Sequence, residues 1–256
     1  MLPAERRDRI VRELRKDRFL SVTELAGRLG ASISTIRRDL AELEQEGVIV
    51  RTHGGAGLNT AGLPKEMAGS VRALQQVPQK QSIGRATARL LANMSTAILD
   101  GGTTTLEVAR ALNPTRHLRV ITDSVEIAWE LRDRENVTVI LTGGIMRRSA
   151  YNLFGSLAEQ ALAGLHAEVC VMGCSGLSLT EGLTKHDIEA LPVRRRMVEV
   201  SSRLIVVADS TKLGRVGLVA VCGVDRIHTL VTDSGIPPAF RAALEEQGVE
   251  VIIADA

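Results

Sequence analysis

Between Ala31 and Leu40 the chain reads A-S-I-S-T-I-R-R-D-L. On a helix, Ile33, Ile36, Leu40 and Leu43 recur at three- and four-residue intervals and form one apolar stripe. Ser34, Arg37 and Arg38 fall away from it, and Ser32 is placed to cap the helix start. The outward face therefore carries short hydroxyls first and a pair of guanidiniums after. Small donors let a helix approach a polyanion, and guanidiniums can fork onto phosphates or guanine edges in a major groove. A second constellation is Asp100-Gly101-Gly102-Thr103-Thr104-Thr105, between a strand-like run and a helix-like one. Its glycines let backbone N–H groups approach an anion, its threonines add donors, and the helix start supplies a favourable dipole: a phosphate cradle. It is neither a Walker loop nor G-x-G-x-x-G. Thr122-Asp123-Ser124 and Thr142-Gly143-Gly144 close the next two strand-like runs at matching positions. Asp209-Ser210-Thr211-Lys212 puts a lysine past another, where it could meet a phosphate or a sugar hydroxyl.

The elements that must hold these residues follow from the periodicity. Ile10, Val11 and Leu14 sit among Arg6, Arg7, Arg9, Arg12 and Arg15, which predicts an amphipathic first helix with a basic outer side. Ser21-Val22-Thr23-Glu24 is a capping box, and the short helix it opens stops at Gly30. The helix capped by Ser32 follows at once, making a helix-turn-helix. Val48–Thr52 is β-branched and His53-Gly54-Gly55 breaks it, which suggests a small wing with Arg51 and His53 near its tip or edge. Glycines and prolines from Gly57 to Gln79 read as a linker with one short helical turn. Beyond it, strand-like runs at Thr96–Leu99, Leu118–Thr122, Val137–Thr142, Val169–Gly173, Leu204–Ala208, Thr229–Thr232 and Val249–Ile253 alternate with helical segments. Those segments include Val125–Leu131, Leu157–Leu165, Ile188–Val200 and Pro238–Gln247. Such alternation predicts a mainly parallel sheet covered on both faces, with ligands beyond the carboxyl ends of its strands.

Composition sets the outer limits. At 256 residues two domains are expected, and 45% hydrophobic with only 2% aromatic content implies mostly aliphatic cores. Cys170, Cys174 and Cys222 make no disulfide framework, which suits a reducing cytoplasm. No signal pattern is present and no apolar run reaches the ~18 residues a membrane span needs, so no membrane partner is expected. The net charge of +2 sits wholly within residues 1–55, and the remainder balances to zero. So small an excess leaves the case for nucleic acid to the placement of the arginines.

S-x-x-T-I-R-R-D-L followed by R-T-H-G-G-A resembles the winged helix of the DeoR family of bacterial transcription regulators, carried by Ser32, Thr35, Ile36, Arg37, Arg38, Asp39, Leu40, Arg51, His53, Gly54, Gly55 and Ala56. The resemblance implies that Ser34, Thr35, Arg37 and Arg38 meet operator DNA, with Ser32, Arg51 and His53 as further candidates. An acid facing phosphates would repel them, so Asp39 is expected to pair with a neighbouring arginine instead. The expected organisation is a winged helix-turn-helix domain over residues 1–57, a linker over 58–79 and an effector-binding and oligomerisation domain over 80–256.

That larger part also resembles the DeoR-type effector domain, a Rossmann-like, mainly parallel α/β fold similar to ribose-5-phosphate isomerase and glucosamine-6-phosphate deaminase. Its marks are D-G-G-T-T-T, L-T-G-G, E-G-L-T and D-S-T-K. The resemblance implies a sugar phosphate or related phosphorylated metabolite as effector. It also implies a site drawn from Asp100, Gly101, Gly102, Thr103, Thr104, Thr105, Asp123, Ser124, Gly143, Gly144 and Lys212. Where the family usually shows T-N-S, this chain has Thr122-Asp123-Ser124. An ionised acid cannot donate as an amide can. Either Asp123 faces sugar hydroxyls, away from the phosphate, or the effector is less acidic than a sugar phosphate. Arg194 stands where the family often has lysine, and Pro192 falls inside the expected helix.

Catalysis is not expected. At the place where the related isomerases look to need a carboxylate base, this chain has Gly173-Cys174-Ser175-Gly176. Cys174 has no base partner in the sequence and reads as a small packing residue, and the scattered histidines make no metal site. The expected protein is a DNA-binding transcription regulator, a repressor of a carbohydrate-use operon answering to a phosphorylated effector and needing no cofactor. An isomerase-like enzyme with an appended DNA-binding head is the second reading. One helix-turn-helix reads only a few base pairs, so a homodimer or homotetramer on repeated half-sites is expected.

Overall fold

The computed structural model describes residues 6–7, 9–11, 13–14, 19–45, 49–52, 55–58, 73–147 and 151–254. The chain divides into two compact units, Met1–Gln75 and Gln76–Ala256. His53, the Arg51 side chain and most of the stretch read as linker lie outside the described residues.

In the first unit, α1 (Val22–Leu29) and α2 (Ile33–Gln45) form the helix-turn-helix. Ser21 Oγ accepts the Glu24 N–H at 3.1 Å while the Glu24 carboxylate accepts the Ser21 N–H at 2.8 Å, so the capping box is reciprocal. Gly30 ends α1 in the left-handed region at φ 60°, where a side chain would be strained. The wing has three antiparallel strands in the order β1 (Phe19–Ser21), β3 (Gly55–Leu58), β2 (Ile49–Thr52). The sequence reading missed β1 and β3, because three residues before a helix and a glycine-rich run carry no usable period. Ile10, Leu14, Leu20, Leu25, Ile36, Leu40 and Ile49 close the core. Ile33 does not join them: it is 45% exposed, so the buried stripe of α2 begins one turn later, at Ile36.

In the second unit, seven parallel strands lie in the order β15-β14-β12-β9-β4-β5-β6. They are β4 (Thr96–Leu99), β5 (Leu118–Thr122), β6 (Val137–Leu141), β9 (Val169–Gly173), β12 (Leu204–Val207), β14 (Thr229–Thr232) and β15 (Glu250–Ile253). Alternate residues enter opposite cores. Ala97, Leu99, Val169 and Val171 pack with α3 (Val77–Leu91), α4 (Thr103–Ala111) and α5 (Val125–Leu131). Ile98, Cys170 and Met172 pack with α6 (Ser156–Leu162), α7 (Leu191–Glu199) and α8 (Pro238–Glu246). Both faces are thus covered, which is why these strands read as continuous apolar runs.

Three features depart from expectation. Helix α7 begins at Leu191 rather than Ile188, with Pro192 in its first turn, where a missing N–H costs no hydrogen bond. A hairpin of β7 (Ile145–Arg147) and β8 (Asn152–Phe154) follows β6. A small antiparallel sheet joins β10 (Gly176–Ser178), β11 (Gly182–Lys185) and β13 (Val219–Cys222). Among the described residues no helix is long and apolar enough to cross a membrane.

The cap gives a direct test of the first unit. Ser21→Ala removes one half of the reciprocal pair and should lower stability by about 1 kcal/mol in urea unfolding with an unchanged slope. An unaffected midpoint would show that α1 does not depend on this cap.

Candidate functional site

The outer face of α2 is built from its cap upward. Ser32 Oγ accepts the Thr35 N–H at 3.1 Å and shares hydrogen bonds with the hydroxyls of Ser34 at 2.9 Å and Thr35 at 2.7 Å. Arg37 and Arg38 point outward and make no ion pair among the described residues. The basic residues of the first helical stretch behave differently. Arg6 grips buried Asp39 at 2.5 and 3.0 Å, and Arg7 pairs with Glu42. The acid of R-R-D-L therefore faces inward and ties α2 to the preceding helical turns.

In the second unit the chain runs from β4 outward through β5 and β6, then returns to lay β9 on the other side of β4. The crevice beyond the carboxyl ends of β4 and β9 is where such sheets bind ligands. Asp100 sits there, wholly buried. Its carboxylate accepts from Lys185 Nζ at 2.6 Å and Arg194 Nε at 3.2 Å. Arg194 also donates to the Asp187 carbonyl at 3.3 Å. Arg147 of the hairpin pairs with Asp187 at 2.5 Å and Glu189 at 2.6 Å. Burial pulls the Lys185 ammonium below the ordinary lysine value against the attraction of Asp100. Burial opposes the Arg194 charge too, and Asp100, Asp123 and Asp187 outweigh it.

The loop after Asp100 wraps over Asp123. That carboxylate, also wholly buried, accepts the Gly101 N–H at 2.8 Å and the Asn152 amide at 3.2 Å. A β-carbon on Gly101 would lie 2.2 Å from the Asn152 nitrogen, so a side chain here would have to displace this amide. Burial, and then the Asp100 charge, raise the Asp123 carboxyl to about 7. Helix α4 carries no side-chain cap, and its first internal bond runs from Leu106 N–H to the Gly102 carbonyl at 2.9 Å. The N–H groups of Thr103, Thr104 and Thr105 precede that bond and have no intrahelical acceptor. Thr103 and Thr104 are half-buried at this opening, whereas Thr105 is buried with its hydroxyl on the Gly102 carbonyl.

The remaining candidates divide. Ser124 caps α5 by accepting the Ile127 N–H at 3.3 Å, and is buried. Gly143 and Gly144 form the exposed turn into the hairpin, and Gly144 at φ 111° has the Phe154 carbonyl 2.6 Å from where a β-carbon would stand. Lys212 ends a 3-10 turn, Ser210–Lys212, that Asp209 caps through the Thr211 N–H at 3.1 Å. It is half-buried, makes no ion pair among the described residues, and like Lys185 its charge is felt at Cys174. Burial pushes the Cys174 thiol up to about 12, unsuited to a nucleophile. Among the described residues no cluster of histidine, cysteine and acids could hold a metal. Lys185, Asn152 and Arg147 were not anticipated. Lys185 directly follows the E-G-L-T mark and was within reach of the sequence argument, whereas nothing in the sequence pairs Asn152 with Gly101.

A DeoR-like helix-turn-helix domain matches residues 6–61 and a DeoR C terminal sensor domain matches residues 75–234. The chain belongs to the DeoR family. It is 34% identical to the HTH-type transcriptional regulator GolR of Listeria innocua serovar 6a over the whole of both chains. It is also 34% identical to the HTH-type transcriptional regulator GlpR of Haloferax volcanii, over 98% of each. The transcriptional repressor AccR of Agrobacterium fabrum is 31% identical over 98% of this chain and 97% of its own. Ribose 5-phosphate isomerase A of Methanocaldococcus jannaschii overlays on 52% of this chain and 53% of its own, at 14% identity and a TM-score of 0.38. This DeoR-family chain is a DNA-binding transcription regulator with a sensor domain, not an enzyme.

The raised Asp123 carboxyl has a signed consequence. The unfolded chain ionises this group near the ordinary aspartate value while the native state holds its proton to about 7. Its contribution to native stability is therefore lost as pH rises between those values and is constant above. Asp123→Asn removes this loss, so the stability of the variant relative to wild type should grow between pH 4.5 and 7.5 in urea unfolding. Parallel profiles would show that Asp123 is ionised throughout.

Proposed function

We propose that this regulator is a repressor of a carbohydrate-metabolism operon whose sensor domain takes a phosphorylated sugar or related metabolite at the crevice beyond β4 and β9. The observation that carries this reading is the uncapped start of α4 at the switch point, with Lys212, which makes no ion pair among the described residues, past the end of β12 on the same sheet. A phosphate there meets the N–H groups of Thr103–Thr105, the positive end of the helix and the Lys212 ammonium. Gly101 and Gly102 allow the close approach, and Gly143 and Gly144 form a neighbouring rim. The regulator and repressor names of the relatives agree with this reading. Asp100, Asp123 and Ser124 are supporting groups here, since all three are buried and engaged inside the protein. The site binds and does not turn over: no carboxylate follows β9, where the chain has Gly173-Cys174-Ser175.

In the same reading α2 enters the operator major groove through Ser34, Thr35, Arg37 and Arg38, supported by Ser32, with Arg51 and His53 of the wing on the flanking backbone. Residues 1–57 form the DNA-binding domain, 58–79 the linker and 80–256 the effector-binding and assembly domain of a cytoplasmic homodimer or homotetramer. Effector and operator are coupled through the linker, at the usual scale of about 1–3 kcal/mol, or roughly 5–150-fold in operator affinity.

Two variants separate the halves. Lys212→Ala should abolish stabilisation by sugar phosphates in a thermal-shift panel and abolish release from operator DNA, while leaving operator affinity intact. Undiminished effector response would remove Lys212 from the site. Arg37→Ala and Arg38→Ala should each weaken operator binding at least tenfold and leave the thermal shift unchanged. Full operator affinity in both would displace the recognition helix.

A further inference from the structure

The outward face of α2 carries one side chain that the fold does not use. Ile33 is 45% exposed, while Ile36 and Leu40 are wholly buried and Leu43 is 4% exposed. Among the side chains described within residues 6–58 it is the one large apolar group left exposed. It occupies the first helical position after the Ser32 cap, and it is flanked by the exposed Ser34 and, one turn on, by the exposed Arg37. Ile33 and Arg37 form one column of the helix surface, and Ser34 and Arg38 the next. This surface is otherwise made of hydroxyls and guanidiniums, the groups that suit phosphates and purine edges. A branched aliphatic chain among them satisfies neither.

The start of a recognition helix is the part that reaches base edges. The one apolar feature that a base presents in the major groove is the C5-methyl group of thymine. We propose that Ile33 is a base-reading residue that selects thymine in each operator half-site through that methyl group. The assignment rests on α2 being the recognition helix. It also fixes a spacing. Four helical residues advance about 6 Å, close to two base-pair steps, so the selected thymine lies within about two base pairs of the base read by Arg37.

The test uses the full-length protein and a random-sequence DNA duplex library to select a preferred site. That site is then remade with uracil in place of each thymine in turn, which deletes one methyl group and leaves the pairing edge unchanged. Wild type should bind about fourfold more weakly at one such position in each half-site, the loss expected for one buried methyl. Ile33→Ala should bind the thymine and uracil duplexes equally. Ile33→Val, which keeps a branched chain, should retain the preference. Because Ile33 lies outside the core, these variants should keep the wild-type unfolding midpoint. If no replacement distinguishes wild type from Ile33→Ala while Arg37→Ala weakens binding, the helix reading stands and the role of Ile33 is overturned. If the arginine variants also bind normally, α2 is not the reader and the proposal falls with it.

Discussion

The sensor domain depends on one buried carboxylate. Asp100 has no exposed surface, and at that depth an unpaired carboxylate would be neutral or would destabilise the fold by several kcal/mol. Lys185 and Arg194 supply its partners. They come from different elements, β11 and α7, so satisfying one charge fixes a small sheet and a helix against the end of β4. The tie continues outward: Arg194 reaches Asp187, and Asp187 meets Arg147 on the β7–β8 hairpin. Removing either cation alone would strand the other charges, which costs more than the pair contributes when whole. The network is therefore better understood as fixing geometry than as supplying stability.

The same separation between charges used inside and charges left outside organises the first unit. Arg6 and Arg7 are engaged by Asp39 and Glu42. Arg37 and Arg38, on the helix those acids belong to, are left unpaired among the described residues and exposed. Asp39 thus does two things. It aligns α2 with the preceding helical stretch, and it leaves the two arginines that follow the Ser32 cap as the positive part of the outward face. A basic count could not show this, because engaged and free arginines weigh alike in a net charge of +2.

This difference explains what was legible in the sequence. The central parallel strands were found nearly to the residue because both faces are buried, and a run such as Leu204–Val207 has no other reading beside turn residues; the edge strand Val137–Leu141 was legible by its β-branched residues although it is largely exposed. The caps at Ser21, Ser32 and Gly30 were legible because they act within four residues. Pro192 was misread as an interruption because its meaning depends on where the helix begins, and that is set by packing on α6. Ile33 was assigned to the core by period alone, yet the first position of a helix lies beyond the reach of the facing layer. The hairpin and the β10–β11–β13 sheet were missed because their strands are only three or four residues long, too short to show a period. Asn152 was invisible for a stronger reason. Its role exists only through contacts with residues 29 and 51 positions away.

Asp123 shows how position changes the meaning of a substitution. From the sequence, an acid in place of an amide seemed to alter what the effector site could accept. In the fold its oxygens are occupied by the Gly101 N–H and the Asn152 amide, so it faces the back of the loop and not the opening. The acid is nevertheless buried behind the loop that leads into α4, where a charge is poorly screened. Under the proposed reading, a phosphate at the start of α4 would add negative charge near two carboxylates. Asp100 is engaged by two cations, whereas Asp123 is held by an N–H and an amide and is the one with a raised carboxyl. Its raised proton affinity lets the loop lose that charge near neutral pH and so lessens its repulsion of an anion. An amide at this position would be neutral at every pH. The acid instead makes the charge behind the loop depend on the proton concentration.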